Sequence, residues 1–171
     1  MTNKDNFRMW FADYIRALAK ERNAGLLIAM VSFPLLERYL RELTKGEPKS
    51  LKFLEGLRKL LPDLRTEKEA RTFWTEYRHG LLHNVTMYSD SHGLTHDTNT
   101  IVDVQPSGKV WLNPVRFSER VLGIIENDFP TFEGGKPALP AETRYERVPE
   151  FPGAPDYYVG TGTPPGRGGK P

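Results

Sequence analysis

The sequence predicts a mainly α-helical protein: a bundle of four to five helices, a small β-hairpin before the last helix, and a C-terminal tail rich in proline and glycine. Apolar residues recur at three- and four-residue intervals through most of residues 1–130, which is typical of amphipathic helices. One short stretch instead has two β-rich runs around Pro-Ser-Gly. Beyond Pro130, proline and glycine accumulate and bulky apolar residues become sparse.

The first two helices are predicted from their apolar spacing. From about Lys4 to Arg22, aromatic and aliphatic residues follow the stripe of an amphipathic helix. A second helix, residues 25–44, is apolar nearly all round up to Phe33, which predicts the central element of the core. We expect Pro34 to kink or break this helix, because proline removes a backbone donor and clashes with the preceding turn.

The next two helices are predicted from their N-terminal caps. Ser50 can cap a short leucine-rich helix that Pro62 closes. Thr66 and Glu69 match a capping box, in which each side chain accepts a hydrogen bond from the other residue's backbone amide. The fourth helix follows this box and continues to about Leu81.

The last part of the predicted domain is a loop, a hairpin and a helix. Residues 89–99 are turn-forming and polar, so we expect a loop there. Residues 100–112 predict a hairpin, with Gly108 in the left-handed position of its turn. Asn113 is the expected cap, with proline after it, of a final helix that ends near Asp128.

These elements predict one helical domain over residues 1–130, and the core is expected to end near Pro130. Residues 131–171 are predicted to be a largely irregular or disordered tail, because such a composition cannot bury enough apolar surface to offset its ordering entropy. The three tryptophans stand among periodic apolar neighbours and are predicted to be core residues: Trp10, Trp74 and Trp111.

Composition and charge exclude several classes of protein. There is no cysteine, which excludes disulfides, thiolate metal sites and cysteine nucleophiles. The longest apolar run, residues 24–31, is far shorter than the ~20 residues that cross a bilayer. We therefore expect a cytoplasmic protein that is neither secreted nor membrane-spanning. The net charge of +2 is too small for a dedicated, non-specific nucleic-acid binder, although a local basic groove remains open.

The chemistry-bearing segment is residues 76–84, Glu-Tyr-Arg-His-Gly-Leu-Leu-His-Asn, on the fourth helix. It holds one acid, one guanidinium and two imidazoles. Histidine titrates near neutral pH and can act as general acid or base, while arginine presents a permanent planar fork to phosphate oxygens. This combination suits phosphodiester cleavage without a metal or other cofactor.

Arg78 followed after four residues by His83 resembles the Arg-x4–6-His motif of HEPN domains. The residue after the arginine is often polar in that family, and His79 fits. HEPN domains are helical bundles with this motif late in the bundle, so the resemblance covers about residues 5–130. It implies a metal-independent endoribonuclease, often of toxin–antitoxin or anti-phage systems. Such a protein acts on RNA as a homodimer whose two motifs line one cleft, and an antitoxin protein is a further expected partner.

The resemblance also implies roles for the residues. His83 would exchange a proton with the ribose 2′-hydroxyl or the leaving oxygen, and Arg78 would stabilise charge on the phosphate. His79 would take the complementary proton role or hold the substrate, while Glu76 and Asn84 would bind substrate or support the site. The alternative is a catalytically inactive HEPN-like module that dimerises or binds RNA or another partner, with Arg78 paired to Glu76 or another acid.

Helix geometry qualifies this interpretation, because Arg78 and His83 lie roughly 140° apart around a regular α-helix. Three arrangements remain open: Gly80 distorts the helix, the helix stops near His83, or the arginine of one subunit faces the histidine of the other.

A divalent metal is the rival chemistry. In an α-helix Glu76, His79 and His83 share one face, which is suitable geometry for ligands. The following loop could add four more ligands: Asp90, His92, His96 and Asp97. Three ligands from one helix seldom complete a site, and no second Glu-x-x-His is present, so we expect no metal.

Overall fold

A computed structural model describes residues 2–21, 23–84 and 91–134 and two further short segments, residues 146–147 and 158–159. For residues 83–84 and for these two segments it describes the backbone alone. The chain divides into two compact units, Met1–Ala138 and Leu139–Pro171. In the second unit, two short strands, Glu146–Arg147 and Tyr158–Val159, pair antiparallel. Most of the predicted tail lies outside the described residues.

The first predicted helix forms as three consecutive pieces: α1 (Asn3–Phe7), a π-helical turn π1 (Arg8–Ala12) and α2 (Asp13–Leu18). Thr2 and Asp5 make a capping box at its start. The helix ends four residues before the predicted end at Arg22. The amides of Lys20 and Glu21 bond back to carbonyls three residues earlier, which tightens and terminates the last turn.

The central helix α3 (Gly25–Thr44) has the predicted bounds and is not broken at Pro34, whereas the kink expected there as the alternative stays a prediction. Phe33, Leu35 and Leu36 are buried on either side of the proline. Their packing outweighs the loss of one backbone hydrogen bond and the steric clash, together worth about 3 kcal/mol. The helix ends at Thr44, and the next residue, Lys45, has a left-handed φ of 50°.

Both predicted caps of the next two helices are confirmed. The Ser50 hydroxyl accepts the amide of Phe53 at 3.4 Å. Thr66 accepts the amide of Glu69 at 3.2 Å, and the Glu69 carboxylate accepts the amide of Thr66 at 2.9 Å. These caps begin the following elements: α4 (Leu51–Leu60) and α5 (Glu67–Phe73), which continues directly into a second π-helical segment, π2 (Trp74–Asn84).

The hairpin prediction is confirmed, and a third strand joins it. The sheet has the order β1-β3-β2, with β1 parallel and β2 antiparallel to β3; the strands are β1 (His92–Leu94), β2 (Val102–Val104) and β3 (Val110–Leu112). Gly108 has a φ of +83°, as its turn position requires. Strand β1 corrects the prediction of a loop over residues 89–99. It is only three residues long and pairs with a strand distant in sequence, so its own residues carry no strand signal.

The last predicted helix is confirmed as α6 (Pro114–Asn127), with the side chain of Asn113 accepting the amide of Arg116 at 3.1 Å. A short helix α7 (Phe129–Glu133) follows. Both Phe129 and Phe132 are buried against Phe7, with ring centroids 5.8 Å and 5.2 Å from its own. The expected end of the core near Pro130 is therefore a few residues too early.

The core of the first unit lies around α3, which packs on α4, α6, α7 and π2. Its centre is an aromatic cluster: Phe33, Phe73, Trp74, Tyr77 and Phe117. Trp74 is buried as predicted, whereas Trp10 and Trp111 are only half-buried and are not core residues. Among the described helices, none has the length and apolar content needed to cross a bilayer.

Candidate functional site

The helix that carries the motif is wound differently from the prediction. Residues 74–84 form a π-helix, in which the backbone hydrogen bond joins residues i and i+5. Residues five apart are therefore about one turn apart and lie near the same face. Positions 78 and 83 have this spacing, so the separation of roughly 140° expected of an α-helix does not apply. The side chains of His83 and Asn84 lie outside the described residues.

The same winding corrects the geometry of the rival metal site. Glu76 and His79 are three residues apart, which is much less than one turn of a π-helix. The two residues therefore do not share a face. The expected common face of Glu76, His79 and His83 is therefore wrong. Among the side chains that the structure describes, which exclude those of His83 and Asp90, no group of three acidic or histidine residues could hold a metal ion.

Arg78 forms an ion pair with an acid on a different helix. Its Nε lies 2.8 Å from Oε2 of Glu37 in α3. The two side chains are only 23% and 14% exposed, so water screens this charge-assisted hydrogen bond less than it screens a surface pair. The sequence analysis allowed an acid other than Glu76 as the partner of Arg78, but it did not identify Glu37. The partners are 41 residues apart, and no local pattern connects them.

A cleft of about 530 Å³ opens beside Arg78. Among the described residues, seven line it: Pro34, Glu37, Arg38, Arg41 and Glu42 from α3, and Arg78 and Leu82 from π2. This volume is within the range of sites for small ligands. Three guanidinium groups in one cleft favour anions with several oxygens, such as phosphates, because each guanidinium can donate two parallel hydrogen bonds. The two carboxylates in the cleft oppose that preference.

The other two arginines of the cleft also have partners within the described residues. Nε of Arg38 donates to the carbonyl of Phe132 at 3.0 Å, and its guanidinium lies 4.8 Å from the centre of the Phe132 ring. Arg41 pairs with Glu47 at 3.1 Å, and both of these side chains are largely exposed. The carboxylate of Glu42 pairs with Lys45 at 2.7 Å. The described lining of the cleft is therefore a mixed-charge surface with a positive excess of one, three arginines against two glutamates.

Glu76 faces the sheet. Its Oε2 lies 3.9 Å from Nδ1 of His92, a strand residue whose side chain is 5% exposed. Burial lowers the pKa of His92 below its ordinary value, against a smaller raising effect of Glu76. The Ser91 hydroxyl lies 3.1 Å from the same Nδ1. Because serine and carboxylate meet the same ring nitrogen, this group does not have the arrangement of a hydrolytic triad.

Tyr77, the residue before Arg78, anchors π2 to the same sheet. Its hydroxyl lies 2.7 Å from the carbonyl of Val110 and 2.9 Å from that of Gly93, and it accepts the amide of Gly93 at 3.3 Å. The phenol has one proton to donate, so the two carbonyls share it. Burial raises the pKa of Tyr77 well above its ordinary value. The backbone of Glu76 and Arg78, the two neighbours of Tyr77, is thereby fixed relative to the core.

Of the histidines predicted in the motif and the loop, the structure describes the side chains of His79, His92 and His96. His79 is half-buried on π2. The side chain of His96, in the loop after β1, lies beside the first residue of α3: its Nε2 is 3.2 Å from the position that a Cβ on Gly25 would occupy. The structure therefore unites Arg78 with Glu37, and Glu76 with His92. The pairing of Arg78 with His83 stays a prediction.

Compared with family models, curated proteins and solved structures, this chain matches none of them. The function is therefore inferred from the residues of the chain itself.

Proposed function

We propose that this chain is a metal-independent endoribonuclease of the HEPN type, in which Arg78 and His83 act together on one phosphodiester. The observation that supports this proposal is the π-helical winding of residues 74–84, which removes the separation that an α-helix would impose between positions 78 and 83. The cleft beside Arg78 has the size and the guanidinium groups to receive a phosphate.

The proposed reaction needs only groups of the chain and the RNA. His83 accepts the proton of a ribose 2′-hydroxyl, whose oxygen attacks the adjacent phosphorus. The bond from phosphorus to the 5′-oxygen breaks, and that oxygen receives a proton from His79 or from protonated His83. Arg78 stabilises the negative charge on the non-bridging oxygens. The products are a 2′,3′-cyclic phosphate and a 5′-hydroxyl.

A homodimer is part of the proposal, and the outer face of α3 supports it. Leu27 and Val31 are 54% and 36% exposed, and Pro34 continues the same face one turn later. This apolar stripe runs into the cleft, because Pro34 also lines it. A second copy on the stripe would cover it and bring the two clefts together. The proposal also places the protein in a toxin–antitoxin or anti-phage system, with an antitoxin protein as its partner.

The proposal is tested by incubating the purified chain with RNA in a metal chelator. The expected result is cleavage to 2′,3′-cyclic phosphate ends, with no cleavage of DNA of the same sequence, because DNA lacks the 2′-hydroxyl. R78A purified in parallel should leave the RNA intact. Cleavage that the chelator abolishes, or that R78A retains, would contradict the proposal.

The dimer is tested by the double substitution L27E/V31E. Sedimentation should show a dimer for the wild type and a monomer for this variant, with loss of cleavage. L51E is the matched control, because Leu51 is 61% exposed on a different helix. A monomeric wild type that cleaves RNA would contradict the dimer.

The second candidate function is a catalytically inactive HEPN-like module that dimerises or binds RNA or another partner. The contact between Arg78 and Glu37 favours it, because an arginine already bonded to an acid on a neighbouring helix can serve structure alone. Binding of RNA without cleavage, with a stable dimer, is the result that this function predicts.

A further inference from the structure

We infer that Glu37 is the positioning residue of Arg78: its carboxylate holds the guanidinium at Nε so that the terminal nitrogens meet a phosphate in the cleft. This inference rests on the proposed function. It starts from the 2.8 Å contact between Nε of Arg78 and Oε2 of Glu37. Nε is on one edge of the planar guanidinium, and Nη1 and Nη2 are the two nitrogens of another edge, which matches two oxygens of a phosphate.

The position of Glu37 is fixed by the packing of two helices. Phe33 precedes Glu37 by one turn of α3, and Tyr77 precedes Arg78 on π2. Their rings stack with centroids 6.3 Å apart and an angle of 7° between planes. Phe33 is fully buried, and the hydroxyl of Tyr77 is bonded to the sheet. The contact between Glu37 and Arg78 is therefore held by two buried rings in rigid elements.

The hydrogen bond from Arg78 to Glu37 can orient the guanidinium, an effect that the negative charge of Glu37 alone does not provide. A free arginine side chain has about 2 kcal/mol of rotamer entropy, part of which is lost when it binds a phosphate. A carboxylate that already fixes Nε reduces that loss and defines the direction of the fork. The negative charge of Glu37 has the opposite effect, because it repels a phosphate. The geometric and the electrostatic effects of Glu37 can therefore be separated by substitution.

Two variants separate the geometric effect of Glu37 from its electrostatic effect. E37Q keeps an oxygen acceptor at the same distance and removes the charge, whereas E37D keeps the charge and withdraws the acceptor by one methylene. Glu42 provides the matched controls, E42Q and E42D, because it lines the same cleft and pairs with Lys45. The probe is a fluorescein-labelled oligonucleotide with 2′-O-methyl groups throughout, which cannot be cleaved because its nucleophile is blocked. Binding is measured by anisotropy with the full chain.

If Glu37 positions Arg78, E37Q binds the probe at least as tightly as the wild type, and E37D binds it about tenfold more weakly. On cleavable RNA, E37D should lower kcat by a similar factor while E37Q retains it. Neither Glu42 variant should weaken binding. Wild-type binding by E37D, an equal loss in E37Q and E37D, or no binding of the probe by the wild type would overturn the inference.

The proton on Nε of Arg78 gives a readout that is independent of RNA. In protein labelled with ¹⁵N-arginine, a slowly exchanging Nε–H signal that R78A removes should persist in E37Q and exchange faster in E37D. The same rate in both variants would overturn the inference. If the probe and this signal behave as expected but no RNA is cleaved, the positioning role stands and the proposed ribonuclease fails.

Discussion

The hydroxyl of Tyr77 lies 2.7 Å from the carbonyl oxygen of Val110, which ties the residue before Arg78 to the central strand of the sheet. Through this bond the orientation of the motif helix depends on a sheet that is distant in sequence. The sheet thereby becomes part of the support of the candidate site.

The substitution Y77F should lower the free energy of unfolding by about 1–2 kcal/mol, because it removes a buried hydroxyl that is hydrogen-bonded to the sheet. Urea unfolding measures the change. Y14F is the matched control, since Tyr14 is 63% exposed, and it should have almost no effect. An equal stability of Y77F and the wild type would show that the hydroxyl does not anchor the helix.

His92 should make the stability of the protein depend on pH. Burial lowers its pKa in the folded state below the value of about 6.5 in the unfolded chain. The unfolded chain therefore binds the proton first, so the contribution of neutral His92 is complete above about pH 6.5 and declines as the pH falls through that value. The replacement H92Q should remove this part of the acid dependence, as measured by urea midpoints between about pH 7.5 and pH 5.5.

The neighbouring carboxylate gives a direct test of the cause. Glu76 raises the pKa of His92, so E76Q should lower that pKa further, as followed by the ¹⁵N shifts of the imidazole. E37Q removes a carboxylate from a different part of the fold and should leave the titration of His92 unchanged. A higher pKa in E76Q would contradict the assigned contact.

Asn113 both caps α6 and bonds to the loop before β2. N113A should therefore lower the free energy of unfolding by more than the loss of a helix cap alone. Its oxygen accepts the amide of Arg116 at 3.1 Å, and its amide nitrogen donates to the carbonyl of Thr98 at 3.1 Å. We expect N113A to lower the free energy of unfolding by about 2 kcal/mol, against about 1 kcal/mol for S50A, which removes a cap alone. N113S, which keeps a cap oxygen, should be intermediate. Equal losses in N113A and S50A would remove the loop-holding role.

Local signals in the sequence account for most of the fold. The caps at Ser50, Thr66 and Asn113 and the glycine turn at position 108 depend on neighbouring residues, and all four are confirmed. Strand β1 and the unbroken helix through Pro34 depend on packing with distant segments, which outweighs local preference.

The candidate site was predictable only in part for the same reason. The motif segment was recognised from its residue types, but its π-helical winding and the partner of Arg78 were not. Glu37 is 41 residues away, and the packing of α3 on π2, in which Phe33 contacts both Trp74 and Tyr77, brings it next to Arg78. Likewise, the burial of His92 follows from its strand pairing and not from the polar residues around it.

The most direct test of the central claim is the rate of RNA cleavage in chelator by the wild type, R78A and H83A, with folding checked by circular dichroism. R71A is the matched control, because Arg71 is an exposed arginine of α5 that pairs with Glu67. The proposal predicts that R78A and H83A each lose at least about a hundredfold in rate, while R71A keeps the wild-type rate. A folded H83A or R78A that cleaves RNA as fast as the wild type would contradict it.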